Sequence, residues 1–226
     1  MIRAVVFDLD GTIVTFSLNY KALRAEVRGL LIKQGVPASV LSLSESIFEM
    51  LDKTEIFMRN SGKQEALGKI RDQVFKIAEI YEFEAAKSVS LSKGVVEVLK
   101  TLRDMNLKIG LCTVSGQKTV NYILEKFRIK DFFDAVTSRE MVGKVKPHGE
   151  HLQATLKALN VKAEEALVVG DSVADVRCAR DVGAIAVGFP AGISTDEELI
   201  KAGANYIVTS ITDVPVLAER LKASSS

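Results

Sequence analysis

The sequence predicts an α/β fold, a doubly wound parallel sheet opened after its first strand by an all-helical insertion. Three observations carry this reading. The apolar run Ala4-Val5-Val6-Phe7 stops abruptly at Asp8-Leu9-Asp10-Gly11-Thr12, and continuous β-favouring runs of that kind lie inside parallel sheets. From Leu91 onward, strands and helical stretches alternate strictly, the pattern of right-handed βαβ units. Between the two lies a block with helical periodicity alone.

The first strand must end at Asp8, because a strand buried on both faces has no place for a carboxylate except at its carboxyl end. Alternation aims Asp8 and Asp10 the same way, and Gly11 supplies the turn. Leu23, Val27, Leu30 and Leu31 then recur at helical spacing, and Gly35 with Pro37 stops that helix. A second helical stretch covers 39–51 and a third runs from Lys63 to about Tyr81. Phe48, Phe57 and Met58 read as the core of this block. The division is an α/β domain, 1–16 and 90–226, and a helical domain, 17–89, joined by short linkers near Thr15 to Leu18 and Ser88 to Ser92. Helices at 94–105, 117–127, 150–159, 174–182 and 214–221 then alternate with strands at 107–113, 135–137, 166–171, 184–188 and 206–208. Residues 224–226 read as a frayed tail.

Composition narrows the function classes. The chain has 226 residues, 47% hydrophobic and 26% charged, with thirty basic against twenty-nine acidic residues and a formal charge of +1. No global field recruits nucleic acid or an anionic membrane, so any anion site is local. No stretch has the length of a bilayer span and no signal-peptide pattern opens the chain, so the expected setting is cytoplasmic. Cys112 and Cys178 fall in apolar patterns and read as small core residues. His148 and His151 are the only histidines, too few for a His/Cys metal cluster.

Later strands also end in polar residues. One delivers Thr113, with Ser115 and Gly116 beyond it, and another delivers Gly170-Asp171-Ser172 and then Asp175. Between them the turn Gly143-Lys144-Val145-Lys146-Pro147 opens a helix. Strand ends of one parallel sheet converge on one cleft. That cleft would hold Asp8, Asp10, Asp171 and Asp175 with a hydroxyl and one ammonium. Oxygen ligands without histidine suit Mg²⁺, and a hydroxyl beside a lysine suits phosphoryl oxygens. An aspartate nucleophile needs a cation to neutralise phosphoryl charge and a second acid to protonate the leaving oxygen.

At this point the chain resembles a known family. Asp8-Leu9-Asp10-Gly11-Thr12, Thr113, Lys146-Pro147 and Gly170-Asp171-Ser172 with Asp175 are similar to the four motifs of the haloacid dehalogenase superfamily. The helical insertion resembles that superfamily's cap, and Gly183, Ala184 and 202–206 resemble its phosphoglycolate phosphatase-like branch. The resemblance implies a Rossmann-like core, Asp8 as nucleophile and Asp10 as acid and base. It implies phosphate ligation by Thr113, Lys146 and the backbone amides of Leu9 and Val114. It assigns Mg²⁺ to Asp8, Asp10 (through its carbonyl) and Asp171, with Asp175 and Ser172 in support. On the first helix, Tyr20, Lys21, Arg24 and Arg28 read as a solvated basic face, with contact to a substrate's anionic tail as the alternative. Val114 stands where many relatives have Asn, Thr15-Phe16 where many have Asp-Ser, and Gly149 where many have Pro, positions near the substrate and the cap hinge.

The expected activity is Mg²⁺-dependent hydrolysis of a small phosphorylated metabolite, phosphoglycolate-like or a sugar phosphate, through an aspartyl-phosphate, by a monomer or homodimer. A phosphosugar mutase would use the same residues and pass the phosphoryl group on. A non-catalytic phospho-acceptor or binding module would need neither the helical block nor Asp10.

Overall fold

The computed structural model describes residues 1–15 and 18–223. The expected frayed tail at 224–226, and Phe16 and Ser17 in the first linker, lie outside the described residues. Six strands form one sheet: β1 (Ala4–Phe7), β2 (Lys108–Cys112), β3 (Ala135–Thr137), β4 (Ala166–Gly170), β5 (Ile185–Gly188) and β6 (Tyr206–Ile207). Their order is β3-β2-β1-β4-β5-β6, and every pairing is parallel. β1, wholly apolar and wholly buried, sits in the interior, where both edges are hydrogen-bonded and both faces covered.

Strand order reverses at β1. The chain steps outward from β1 through β2 to β3, then returns to lay β4 on the other edge of β1. A crevice forms at such a switch point, outside the carboxyl ends of the strands. Phe7 is level with Leu111 and Val169, and the Asp8 amide extends the ladder to the Val169 carbonyl at 2.9 Å. Asp8 therefore emerges beside the ends of both neighbouring strands.

By compactness the chain divides into Met1–Phe16 with Val89–Ser226, and Ser17–Ser88. Val89 belongs with the first unit, one residue away from the boundary read in the sequence. It is buried, and its carbonyl accepts from Lys126 Nζ at 3.2 Å. The chain leaves and re-enters this unit at one place, where Thr15 N donates to Ser90 O at 2.8 Å and Ser90 N to Thr15 Oγ1 at 3.1 Å.

The helical unit holds α1 (Tyr20–Lys33), α2 (Ile47–Asn60) and α3 (Leu67–Ala86). Leu23, Val27 and Leu31 of α1, Met50 and Met58 of α2, and Ile70 and Val74 of α3 share one core. Phe48 and Phe57 are partly buried against it. The helix expected at 39–51 begins later. Ser44 N donates to Ser42 Oγ at 3.2 Å, and Ser46 caps α2 in a reciprocal pair with Glu49. Serine side chains compete for backbone groups and favour caps over helix interiors, so the helix starts at Ile47.

The other unit carries α4 (Val95–Asp104), α5 (Gln117–Lys126), α6 (Gly149–Leu159), α7 (Val173–Val182), α8 (Asp196–Ala202) and α9 (Asp213–Ala223). The sequence reading left out α8. Its signal was present, Thr195 and Glu198 forming a capping box. Among the described residues no helix is long and apolar enough to cross a membrane.

Candidate active site

The site grows from the carboxyl ends of β1, β2 and β4 and from the turn before α6. Asp8 is 7% exposed, Lys146 6%, Asp171 1% and Asp175 3%. Charged groups are seldom buried so deeply unless paired. Lys146 Nζ lies 2.6 Å from Asp8 Oδ1, 2.5 Å from Asp175 Oδ1 and 2.9 Å from the Cys112 carbonyl. An ammonium has three donors, and all three are spent on the protein. A phosphoryl oxygen meets Nζ only by displacing one of these acceptors or sharing its N–H.

Asp175 belongs to the first turn of α7. Its Oδ2 accepts the Ser172 hydroxyl at 2.5 Å and the Ser172 amide at 3.2 Å, while Ser172 Oγ accepts the Asp175 amide at 3.3 Å. This capping box fixes the carboxylate that faces Lys146. Asp171 Oδ2 accepts from the Ile193 amide at 2.9 Å, and the Asp171 carbonyl accepts from Ser194 N at 3.2 Å. The loop after β5 is thereby tied to the end of β4. Gly11, at φ +83°, and Gly192 press against this carboxylate: a Cβ on Gly11 would sit 2.1 Å, and on Gly192 1.8 Å, from Asp171 Oδ2. No side chain fits at either place.

Thr113 is fully buried at the end of β2. Its amide donates to the Thr137 carbonyl at 3.0 Å and its Oγ1 accepts from the Ser115 amide at 3.1 Å. Asp10 is half-buried, and its Oδ2 accepts the Ser115 hydroxyl at 2.5 Å. The Leu9 carbonyl accepts the amides of Ile13 and Val14, at 2.9 and 3.0 Å, and so closes the turn after β1. The Val114 carbonyl accepts from Nη1 of the buried Arg139 at 3.4 Å.

Asp8, Asp171 and Asp175 each bring a carboxylate oxygen within 4.8 Å of the others. Burial, with Asp175 and Asp171 as like-charged neighbours, holds Asp8 well above the ordinary carboxylate range despite Lys146. Burial, then Asp175, raises Asp171 to about 7 against the opposing Ile193 amide. Burial also raises Asp10, opposed by Ser115 and Lys146. Burial would lower Lys146, but Asp175 and Asp8 outweigh it and hold the ammonium well above its usual value. Three crowded carboxylates against one ammonium make a site short of positive charge. Their oxygen-only donor set and close spacing fit a hard divalent cation.

The structure thus gathers Asp8, Lys146, Asp171, Ser172 and Asp175, with Thr113 and Asp10 linked through Ser115. The Asp10 carboxylate is outside the three-acid group. Tyr20, Lys21 and Arg24 lie on α1 of the helical unit, where the Arg24 guanidinium stands 5.2 Å over the Tyr20 ring. Arg28 is spent on the carbonyls of Leu41 and Ala38, at 3.1 and 3.0 Å. Sequence reasoning missed the Ile193 amide, the Ser115 link to Asp10, and His151. The last is fully buried on α6, with Nδ1 accepting from the Lys146 amide at 3.4 Å. A polar residue just past a strand end was the available signal for Ser115; nothing local marks the other two.

Residues 5–189 match the haloacid dehalogenase-like hydrolase family. The chain belongs to that family and is an enzyme, a hydrolase. A phosphoglycolate phosphatase of Caulobacter vibrioides is 30% identical over 142 residues, 63% of this chain and 60% of that one. The chain thus spans about three fifths of that relative's length. The pyrophosphatase PpaX of Halalkalibacterium halodurans is 28% identical over 225 residues, 94% of this chain and 95% of that one. Among solved structures, a HAD phosphatase from Thermococcus onnurineus superposes with a TM-score of 0.58 at 25% identity, covering 96% of this chain and 97% of that one. The six-stranded core is the Rossmann-like fold these hydrolases share.

Proposed function

We propose that this enzyme hydrolyses a small phosphate ester through an aspartyl-phosphate on Asp8. The observation that carries the reading is the Asp8 carboxylate at the end of β1, 2.6 Å from Lys146 Nζ and within 4.8 Å of Asp171 and Asp175. An Asp8 oxygen attacks phosphorus, the bond from phosphorus to the leaving oxygen breaks, and Asp10 gives that oxygen its proton. Water then attacks phosphorus, Asp10 takes the proton, and the bond to Asp8 breaks to release phosphate. Lys146 holds Asp8 in place, and Thr113 with the amides of Leu9 and Val114 binds phosphoryl oxygens. Asp8, Asp171 and the Asp10 carbonyl would hold Mg²⁺, whose charge offsets that of the phosphoryl group. The helical unit acts as the cap that reads the non-phosphate end, with Tyr20, Lys21 and Arg24 as candidate contacts.

The relatives' names single out two compounds to try first, the ester phosphoglycolate and, as an anhydride beside it, pyrophosphate. The test is a panel containing both and several sugar phosphates, assayed with and without Mg²⁺ on the wild type and Asp8→Asn. Asparagine is nearly isosteric but cannot attack phosphorus, so turnover should fall by about three orders of magnitude or more in a folded protein. A variant keeping a tenth of wild-type turnover would refute the covalent route.

A further inference from the structure

We propose that Ser115 is the positioning residue for Asp10, holding its carboxylate in one orientation while the acid gives and takes a proton. This rests on the acid–base role proposed above for Asp10. Ser115 is 5% exposed, and its hydroxyl donates to Asp10 Oδ2 at 2.5 Å, the short geometry of a hydroxyl bonded to a carboxylate.

Ser115 is itself fixed from both sides. Its amide is committed to Thr113 Oγ1 at 3.1 Å, and its carbonyl accepts from Arg139 N at 3.5 Å. Arg139 fills the space beneath: a Cβ on Gly116 would meet Nη2 at 2.6 Å. Thr113 therefore serves Asp10 as well as the phosphate, since its hydroxyl holds the backbone that presents the serine.

The chemistry favours a hydroxyl here. With Oδ2 occupied, the proton to be transferred is carried on Oδ1. In the carboxylate state Ser115 donates to a charged oxygen. In the protonated state it donates to the carbonyl oxygen of the same acid. The bond is kept in both states, so the carboxyl plane need not turn between leaving-group protonation and water activation. An alanine would leave Asp10 free to rotate or to fall toward Lys146. Displacing a reacting group by an ångström or so costs roughly a hundredfold in rate.

The experiment compares an alkyl phosphate, whose leaving oxygen needs a proton, with p-nitrophenyl phosphate, whose leaving group needs little help. Wild type, Ser115→Ala, Ser115→Cys, Asp10→Asn and Ser115→Ala/Asp10→Asn are assayed with Mg²⁺, with circular dichroism as the folding check. Ser115→Ala should lower kcat/KM, which reads the steps up to aspartyl-phosphate formation and leaves out the water-activation step common to both esters, roughly tenfold to a hundredfold on the alkyl ester and by less than about threefold on the aryl ester. Ser115→Cys, similar in shape but a weak donor, should follow it and decides the matter if the alanine variant unfolds. In the Asp10→Asn background, Ser115→Ala should cost nothing further. Equal losses on the two esters, or an undiminished loss in the Asp10→Asn background, would overturn the proposal while leaving the role of Asp10 standing. If Asp10→Asn itself fails to distinguish the esters, the acid–base reading falls and this one falls with it.

Discussion

Asp175 Oδ1 lies 2.5 Å from Lys146 Nζ while the same carboxylate's Oδ2 takes the Ser172 hydroxyl. One side chain thus caps α7 and anchors the site's single ammonium. The helix start, set by a local capping box, fixes where the lysine can stand, and the lysine in turn faces Asp8 at 2.6 Å.

Without Asp175 the ammonium keeps Asp8 and the Cys112 carbonyl, but one of its three donors and the Ser172 hydroxyl lose their acceptor, at about 1–3 kcal/mol. Asp175→Ala should therefore lower the urea midpoint by an amount equivalent to about that much. Asp175→Asn, which can still turn an oxygen to Lys146, should recover more than half of the loss. A cost below about 1 kcal/mol for the alanine would mean that Asp8 and the Cys112 carbonyl suffice to hold the lysine.

Mg²⁺ should raise Tm, because a ligand bound only by the folded state stabilises it by about 2.7 kcal/mol at a hundred times its Kd. For a chain of this size that is a shift of roughly 5–10 °C, reversed by EDTA. Asp171→Asn should abolish the shift. Gly192→Ala should weaken it at least about tenfold in Mg²⁺ concentration, since the added Cβ would fall 1.8 Å from Asp171 Oδ2 with Gly11 Cα 3.3 Å behind it. An unchanged shift in both variants would place the cation elsewhere.

His151 sets an acid limb. Burial, helped by Lys146, pushes its imidazole down to about 4. The unfolded chain takes up a proton near 6.5 that the folded chain refuses until about 4. The histidine's contribution is complete above pH 6.5 and is lost as pH falls toward 4. At pH 4.5 the loss amounts to about 2–3 kcal/mol. His151→Asn, which cannot titrate, should flatten the fall in unfolding free energy between pH 7.5 and 4.5 by that amount. Parallel profiles would show that His151 takes up its proton over the same pH range in the folded and unfolded chain.

Burial raises the Cys112 thiol to about 11 and the Cys178 thiol to about 12. Both side chains are buried and free of disulfides. A thiol reagent at pH 8 should therefore modify neither in the native protein and both in urea. Rapid labelling of either without denaturant would show that the surrounding strand ends open.

By itself the sequence determined the elements and the chemistry at their ends. Ala4–Phe7 could only be an interior strand, and Asp8 could only stand at its carboxyl end, because desolvating a carboxylate inside a sheet has no compensation there. The same local logic exposed Thr113, Lys146, Asp171 and Asp175. Tertiary structure alone decided which strand lies beside which, with β1 between β2 and β4, and that Lys146 spends all three donors inside the protein. It also decided that Asp10 turns to Ser115, 105 residues along the chain, and that a backbone amide at Ile193 reaches Asp171. Periodicity and capping are written over a few residues, whereas these bonds depend on strand order and register. Those are fixed only when the whole sheet buries its faces.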